Sequence, residues 1–154
     1  MIKHIKRDIF ESNADIILHQ VNCRGVMGSG VAKQVKDRFP RLYEDYKRSC
    51  KVKGDKLLGK IRVYNNWFLN GEQRYVVVNM FAQKDFGYDG KCYTDYNALR
   101  DCLQNVHDNC SGTVIAIPYL MSCHRGGGDW NIVYSMIEEI FTDRDVLICE
   151  YNGG

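Results

Sequence analysis

Short apolar stretches alternate along the chain with stretches in which apolar residues recur every three or four positions. Runs rich in β-branched residues predict buried strands, whereas the three-to-four spacing predicts helices with one buried face. The predicted strands cover residues 2–7, 15–21, 57–65, 74–82, 113–118 and 145–149. The predicted helices cover residues 31–39, 41–52, 95–109 and 130–141. This alternation indicates an α/β sandwich with a largely parallel central sheet, in a single domain over residues 1–154.

Turn and cap residues mark several boundaries between these elements. Asn70-Gly71 predicts a turn between the third and fourth strands, which would then run antiparallel and make the sheet mixed. Pro40 ends the first helix, and Asp129 is a natural N-cap for the last one.

The composition is that of an ordinary globular protein and restricts the class of ligand. The 154 residues include 21 basic and 19 acidic side chains, which gives a formal net charge of +2. A protein that grips many phosphates of a long nucleic acid is usually far more basic, so this charge favours a compact ligand. The seven cysteines are odd in number and widely spaced, and no apolar run is long enough for a membrane helix. We therefore expect a soluble cytoplasmic protein with reduced thiols and no membrane association.

Two glycine clusters, at residues 25–30 and 126–128, each follow a predicted strand and precede a predicted helix. Loops of this kind meet at the carboxyl edge of a parallel sheet, where backbone N–H groups and helix N-termini bind anions. Two such loops side by side predict a diphosphate site, although plain glycine-rich turns would explain each cluster alone. The first cluster has the order G-x-x-G-x-G, which differs from the dinucleotide fingerprint G-x-G-x-x-G and argues against a nicotinamide-dependent oxidoreductase.

The segments that carry these clusters resemble the macrodomain family, in its branch of ADP-ribose 1″-phosphate processing proteins and terminal ADP-ribose glycohydrolases. They read LHQVNCRGVMGSGVAKQV and YLMSCHRGGGDW, with NMFAQ and YTDYNAL between them. The resemblance runs from Lys6 to Tyr151. It implies a three-layer α/β/α fold that binds ADP-ribose in a cleft at the sheet edge.

The resemblance also assigns binding residues. Asp8 and Ile9 would read adenine, Tyr151 would stack on it, and Asn22 would hold the distal ribose. The first loop would line the distal ribose and one phosphate, and the second loop would bind the other phosphate. The loop residues are Gly25, Val26, Met27, Gly28, Ser29, Gly30 and Val31 in the first loop, and Ser122, Cys123, His124, Arg125, Gly126, Gly127 and Gly128 in the second.

Catalysis is assigned to His19, Asn22 and Asp129. Asn22 would hold the sugar while His19 or Asp129 positions or deprotonates a water. Each has a plainer alternative: His19 as a core histidine, Asn22 as a turn residue and Asp129 as a helix cap. The resemblance also implies that some relatives use a lysine nucleophile with an aspartate in the second loop. Here Gly126 stands close to that aspartate's position. Lys84 is the available lysine, and its alternative is a solvated loop residue.

Two functions of different classes follow from the resemblance. The first is hydrolysis at the distal ribose of ADP-ribose 1″-phosphate or of an ADP-ribosylated protein or nucleic acid, and the alternative is a non-catalytic ADP-ribose reader. We expect a monomer with no cofactor. The cysteine spacing fits no standard zinc pattern, so no metal is expected. The basic stretch around Lys47 and Arg48 is interpreted as the solvated face of an amphipathic helix rather than a nucleic-acid surface.

Overall fold

The computed structural model describes residues 1–71, 73–123 and 126–151. In these ranges the strands are β1 (Ile2–Lys6), β2 (Ile16–Asn22), β3 (Ile61–Tyr64), β4 (Val76–Gln83), β5 (Val114–Pro118) and β6 (Asp145–Glu150). The α-helices are α1 (Gly30–Arg38), α2 (Pro40–Lys53), α3 (Tyr96–Asn109) and α4 (Trp130–Ile140). Short 3-10 helices cover Ile9–Glu11 and Gly54–Leu57. The predicted alternation of strands and helices is confirmed.

The strands form one mixed sheet in the order β1-β6-β5-β2-β4-β3. The pairs β1–β6, β6–β5, β5–β2 and β2–β4 are parallel, and the edge strand β3 runs antiparallel to β4. The mixed, largely parallel sheet is therefore confirmed. Its parallel strands all end at one edge, where β2, β4 and β5 deliver the loops that shape the site.

Helices cover both faces of the sheet, which confirms the three-layer α/β/α architecture. Side chains of a strand alternate between the two faces. Ile17 and Val21 of β2 accordingly pack in a core with α1 and α2, while Ile16 and Leu18 pack in a second core with α3 and α4. Both faces of β2 are thus buried, as its apolar run predicts.

The third strand differs most from the prediction. It begins at Ile61 rather than residue 57, because Gly54–Leu57 forms a 3-10 helix that buries Leu57. The turn predicted at Asn70-Gly71 lies within a longer connection, although both residues have the left-handed φ expected there, 68° and 79°. The 3-10 helix at Ile9–Glu11 was not predicted from the sequence. No helix in the described ranges is long and apolar enough to cross a membrane.

Candidate functional site

A continuous cleft runs along the carboxyl edge of the sheet and consists of two adjoining cavities. The main cavity has a volume of about 290 Å³ and the small cavity about 90 Å³. Gln20, Ser29, Ala32 and Gln83 line both, so the two cavities are next to one another. The cleft lies where the carboxyl ends of parallel strands place a ligand in open α/β sheets.

Many of the residues assigned from the sequence line this cleft. In the main cavity they are Asp8, Ile9, His19, Ser29, Gly30, Val31, Ser122, Gly126 and Tyr151. In the small cavity they are Asn22, Val26, Gly28 and Ser29. In the described part of the chain, neither lining includes Gly25, Met27, Cys123, Gly127, Gly128 or Asp129. His124 and Arg125, assigned to the second loop, lie outside the described residues.

The N-terminus of α1 opens onto the main cavity. Ser29 precedes the helix without a side-chain capping bond, and Gly30, Val31 and Ala32 of its first turn line the cleft. The first N–H groups of a helix have no partner within it, and the helix dipole places positive potential there. Gly30 has a φ of 61° and open space around its missing Cβ. This terminus is therefore suited to an anion.

The N-terminus of α4 is occupied by its own cap. The Asp129 carboxylate accepts a hydrogen bond of 2.9 Å from the backbone N–H of Asn131. Asp129 is exposed and not part of the cleft lining among the described residues. The sequence suggested that two helix N-termini would hold two phosphates. Of these two N-termini, that of α1 lines the cleft, and that of α4 is capped by the Asp129 carboxylate.

Asn22 organises the first loop from within. Its Oδ1 accepts hydrogen bonds from the Arg24 and Val26 N–H groups and from the Tyr46 hydroxyl, at 2.9–3.3 Å. Its Nδ2 donates to the Val26 carbonyl oxygen at 2.8 Å, which leaves one amide hydrogen for another partner. Asn22 thus has the local capping role that was its alternative interpretation, while its side chain lines the small cavity.

Arg24 ties this loop to its surroundings. Its guanidinium donates to Asp55 and to Asp85, each at 2.7 Å. Asp55 lies in the 3-10 helix after α2, and Asp85 lies in the loop after β4. Two charge-assisted contacts from one side chain hold three segments together at the small-cavity end.

A polar network supports the second loop. The Gln20 Nε2 donates to Gln83 Oε1 at 2.7 Å and to Thr94 Oγ1 at 2.9 Å, and its Oε1 accepts from the Ser122 hydroxyl. The Thr94 hydroxyl donates to the Ser122 carbonyl at 2.9 Å. Ser122 has a φ of 76° and Leu120 a φ of 59°, a left-handed conformation that is strained for non-glycine residues. The network holds this strained segment against the main cavity.

The glycines of the second cluster are required by packing within the protein. A Cβ at Gly126 would overlap Thr94 Oγ1 and the Ser122 carbonyl, and a Cβ at Gly127 would overlap the Lys91 carbonyl. The Gly126 carbonyl also accepts hydrogen bonds from the Tyr93 and Thr94 N–H groups, at 2.7 and 2.9 Å. The sequence interpretation assigned these glycines to close approach by a diphosphate. The structure shows that Ser122 and residues 91–94 also approach them closely, while Gly126 lies in the lining of the main cavity.

Asp8, Ile9 and Tyr151 line the main cavity and do not line the small one. Asp8 caps the 3-10 helix by accepting from the Phe10 N–H at 3.0 Å, and its other oxygen lies 3.5 Å from the Arg38 guanidinium. Tyr151 follows β6 and is half exposed. An acceptor carboxylate beside an accessible aromatic ring suits a planar base with N–H donors.

His19 lies in the wall of the main cavity and is only 2% exposed. Its Nε2 donates to Asn79 Oδ1 at 2.5 Å, while its Nδ1 has no hydrogen-bond partner among the described residues. Burial lowers the pKa of His19 to about 4. An imidazole with so low a pKa is a weak base at neutral pH, which disfavours the proposed proton abstraction.

This burial makes the stability of the protein depend on pH. The folded-state pKa of about 4 lies below the ordinary 6.5, so the unfolded chain takes up the proton first as pH falls. As the pH falls from 6.5 to 4, we expect protonation of His19 in the unfolded chain to lower the free energy of unfolding progressively, by about 3 kcal/mol in total. Urea unfolding of wild type and His19→Gln across this range should show a shallower pH dependence in the variant. Parallel pH profiles would contradict this assignment.

The three residues assigned to catalysis do not form one cluster. His19 lines the main cavity, Asn22 lines the small cavity, and Asp129 caps α4 outside both linings. Lys84 is exposed and directly follows Gln83, which lines both cavities. Its carbonyl oxygen accepts from the Cys23 N–H at 3.1 Å, next to Asn22. Lys84 is therefore located at the small-cavity end.

The loop cysteines have the properties of structural thiols. Burial raises the pKa of Cys23 to about 11 and that of Cys123 to about 11. A thiol with so high a pKa is a poor nucleophile at neutral pH.

Several cleft residues were not anticipated from the sequence. They are Gln20, Val21, Ala32, Gln34, Gln83, Phe86, Gly87, Tyr88, Pro118, Tyr119, Leu120, Met121 and Cys149. Gln20 and Gln83 could have been identified from the sequence, because each is a polar residue near the carboxyl end of a mostly apolar strand. The aromatic residues after β4 lie in a polar loop with no periodic pattern.

The chain is similar to several known proteins. The Macro domain family model matches residues 18–137. The chain is 27% identical over 157 residues to a DNA ADP-ribosyl glycohydrolase of Mycobacterium tuberculosis, covering 100% of this chain and 43% of that protein. It is also 39% identical over 61 residues to an ADP-ribose 1″-phosphate phosphatase of Saccharomyces cerevisiae, covering 38% of this chain and 34% of that protein.

Among solved structures, the macrodomain of Mycobacterium tuberculosis DarG is similar to this fold with a TM-score of 0.80. The sequence identity is 25%, and the match covers 97% of each chain. The chain spans less than half the length of the glycohydrolase relative, so the similarity concerns one part of that larger protein.

Proposed function

Because this chain belongs to the macrodomain family, we propose that it binds ADP-ribose in the cleft and hydrolyses ADP-ribosyl derivatives at the distal ribose. The observation that carries the proposal is that the two cavities adjoin. The main cavity is lined by an acceptor carboxylate, an aromatic ring and an open helix N-terminus, and it shares four lining residues with the small polar cavity. This order of surfaces matches a base, a diphosphate and a sugar.

In the proposed orientation, adenine lies at Asp8, Ile9 and Tyr151. The diphosphate lies at the N-terminus of α1, where unpaired N–H groups face the main cavity. The distal ribose lies in the small cavity beside Asn22. The near-neutral net charge fits this arrangement, because N–H groups and a helix dipole bind phosphates without a basic pocket.

The names of two relatives support the class of reaction. One is a DNA ADP-ribosyl glycohydrolase and the other an ADP-ribose 1″-phosphate phosphatase, and both names place the cleaved bond at an ADP-ribose. We propose the same class for this chain, with ADP-ribose 1″-phosphate or an ADP-ribosylated nucleic acid or protein as substrate. In each case water replaces the group on the distal ribose, and the leaving group takes a proton.

We assign the step on the distal ribose to Lys84, whose backbone lies at the small-cavity end next to Gln83. His19 is in the other cavity and has a low pKa, and Asp129 is a helix cap. In this route the Lys84 amine attacks the anomeric carbon, the bond to the leaving group breaks, and water later releases ADP-ribose and restores the lysine. Such an intermediate is a lysine–sugar adduct, which borohydride reduction would trap.

Substitution of Lys84 tests the proposed reaction. We expect Lys84→Ala to lower the release of ADP-ribose from a modified substrate at least about 100-fold, with ADP-ribose affinity nearly unchanged. Lys91→Ala is the matched control, because Lys91 is an exposed lysine in the same connection between β4 and α3. Full turnover by Lys84→Ala would contradict the lysine route, and a selective loss of turnover in His19→Gln would assign the step to His19 instead.

A reader function is the second candidate. Gly126 stands close to the position of the second-loop aspartate that the resemblance assigns to lysine-dependent hydrolases, and packing leaves no room for a side chain there. A reader would bind ADP-ribose as tightly as a hydrolase and release nothing from any modified substrate. Release assays beside binding titrations therefore separate the two functions.

We also propose that the protein acts as a monomer in the cytoplasm. All seven cysteines are free thiols, and five of them are buried. A reducing compartment keeps such thiols in this state.

A further inference from the structure

The carboxylate of Asp8 is held from two sides. Its Oδ1 accepts a hydrogen bond of 3.0 Å from the Phe10 N–H, and its Oδ2 lies 3.5 Å from the Arg38 guanidinium. Among the described residues Oδ2 has no other partner, so it retains the capacity to accept a hydrogen bond from a ligand. Asp8 is 9% exposed and lines the main cavity. Because Oδ1 is already used by the helix cap, Oδ2 is the oxygen available to a bound base.

Arg38 rests on an aromatic cluster. Its guanidinium carbon lies 4.3 Å from the centre of the Phe10 ring, which is the distance of a cation–π contact. The Phe10 ring packs edge-on against Phe39, with ring centres 6.1 Å apart, and its centre lies 6.4 Å from that of Tyr75. Phe10 therefore contributes twice, because its N–H binds Asp8 and its ring supports the arginine that faces Asp8.

Arg38 is also the last residue of α1, at the end opposite to the proposed diphosphate position. A cation stabilises this end of a helix, because the helix dipole is negative there. The nine residues of α1 rise about 12 Å from Gly30 to Arg38, and the first turn lines the main cavity. One helix therefore extends from the proposed diphosphate position to the carboxylate that is proposed to read the base.

Arg38 itself lies outside the cleft. In the described part of the chain it belongs to the lining of neither cavity. An exposed arginine–carboxylate pair contributes little to stability, but here only 11% of the Asp8 side chain is exposed. Arg38 can therefore affect a ligand in the main cavity in two ways, through Asp8 or through its charge at a distance.

We propose that Arg38 is a positioning residue that orients the Asp8 carboxylate toward the amino group of adenine and so determines the preference for adenine over hypoxanthine. The inference rests on the proposed function, because it takes the base to lie at Asp8. Adenine has an amino donor at C6 that a carboxylate oxygen can bind, whereas hypoxanthine has a carbonyl oxygen there, which only accepts. A site built to bind an N–H group of its ligand rejects an analogue that lacks this group.

Calorimetry with two ligands tests this role. The ligands are ADP-ribose and inosine diphosphate ribose, which has hypoxanthine in place of adenine. We expect wild type to bind ADP-ribose at least about tenfold more tightly, and Arg38→Gln to reduce this preference to about threefold or less. The lost positive charge affects both diphosphates equally and leaves the ratio of their affinities unchanged. Arg100→Gln is the matched control, because it breaks an exposed arginine–carboxylate pair with Glu139 outside the cleft, and it should keep the wild-type preference.

A double-mutant comparison shows whether Arg38 acts through Asp8. Asp8→Asn keeps an oxygen for the helix cap but removes the carboxylate. In that background we expect Arg38→Gln to cause no further change in the preference. An equal change in both backgrounds, or an unchanged preference in Arg38→Gln alone, would overturn the inference.

A second variant guards against damage to the fold. If Arg38→Gln unfolds, Phe10→Leu removes the ring beneath the guanidinium and should also reduce the preference, whereas a wild-type preference in Phe10→Leu would overturn the inference. Equal affinity of wild type for the two ligands would overturn the inference and leave the proposed function intact. Failure of wild type to bind ADP-ribose would overturn the proposed function and the inference with it.

Discussion

Gly126→Ala is expected to lower ADP-ribose affinity at least about tenfold and the free energy of unfolding by about 1–3 kcal/mol. The added methyl group would overlap Thr94 Oγ1 and the Ser122 carbonyl. Because Ser122 lines the main cavity, any relief of this overlap must move the cavity wall. Calorimetric titration with ADP-ribose and thermal unfolding measure the two effects.

A matched glycine distinguishes this effect from a general loss of loop flexibility. Gly71 also lies in a loop, but a Cβ there would meet nothing within 4 Å. Its φ of 79° suits asparagine, so Gly71→Asn should retain wild-type affinity. Wild-type affinity in Gly126→Ala would show that the second loop does not shape the binding cleft.

Asn22→Ala is expected to abolish measurable turnover and to lower the free energy of unfolding by about 2 kcal/mol. The substitution removes the acceptor for the N–H groups of Arg24 and Val26 and one acceptor for the Tyr46 hydroxyl. Donors left without a partner at a partly buried loop are costly. Thermal unfolding and a release assay would both detect the change.

Asn22→Asp separates the structural role from the sugar-binding role. Aspartate keeps the oxygen that accepts the three local hydrogen bonds, but it lacks the amide donor. We expect this variant to recover much of the lost stability while ADP-ribose affinity stays low. Recovery of affinity together with stability would show that Asn22 acts only as a loop cap.

The fold was largely predictable because the spacing of apolar residues along the chain indicates which positions are buried. The buried run at Ile16–Asn22 and the helical spacing within Trp130–Ile140 each have one physical interpretation, and the structure confirms both. The start of β3 was less predictable. Leu57 is buried, but it belongs to a 3-10 helix and not to a strand. A single buried leucine shows no periodic spacing from which the type of element could be predicted.

The position of the candidate site was also predictable, whereas the contacts that require glycine at residues 126–128 were not. The glycine clusters mark strand-to-helix loops at one sheet edge, and both loops reach the cleft. Sequence alone cannot show that Gly126 is confined by Thr94, since the two residues are distant along the chain. The same limit applies to His19, whose low pKa depends on burial.

Net charge was the least informative sequence quantity. The formal charge of +2 combines the mostly basic helices α1 and α2 with the mostly acidic helices α3 and α4. Only the structure shows that these two pairs of helices lie on opposite faces of the sheet.

Calorimetric titration of the wild-type protein with ADP-ribose tests the central claim most directly. We expect saturable binding of one ADP-ribose per chain, with AMP and ribose 5-phosphate each binding more weakly because each fills only part of the cleft. Both should compete with ADP-ribose. Absence of saturable ADP-ribose binding, or AMP binding as tightly as ADP-ribose, would contradict the assignment of the continuous cleft to this ligand.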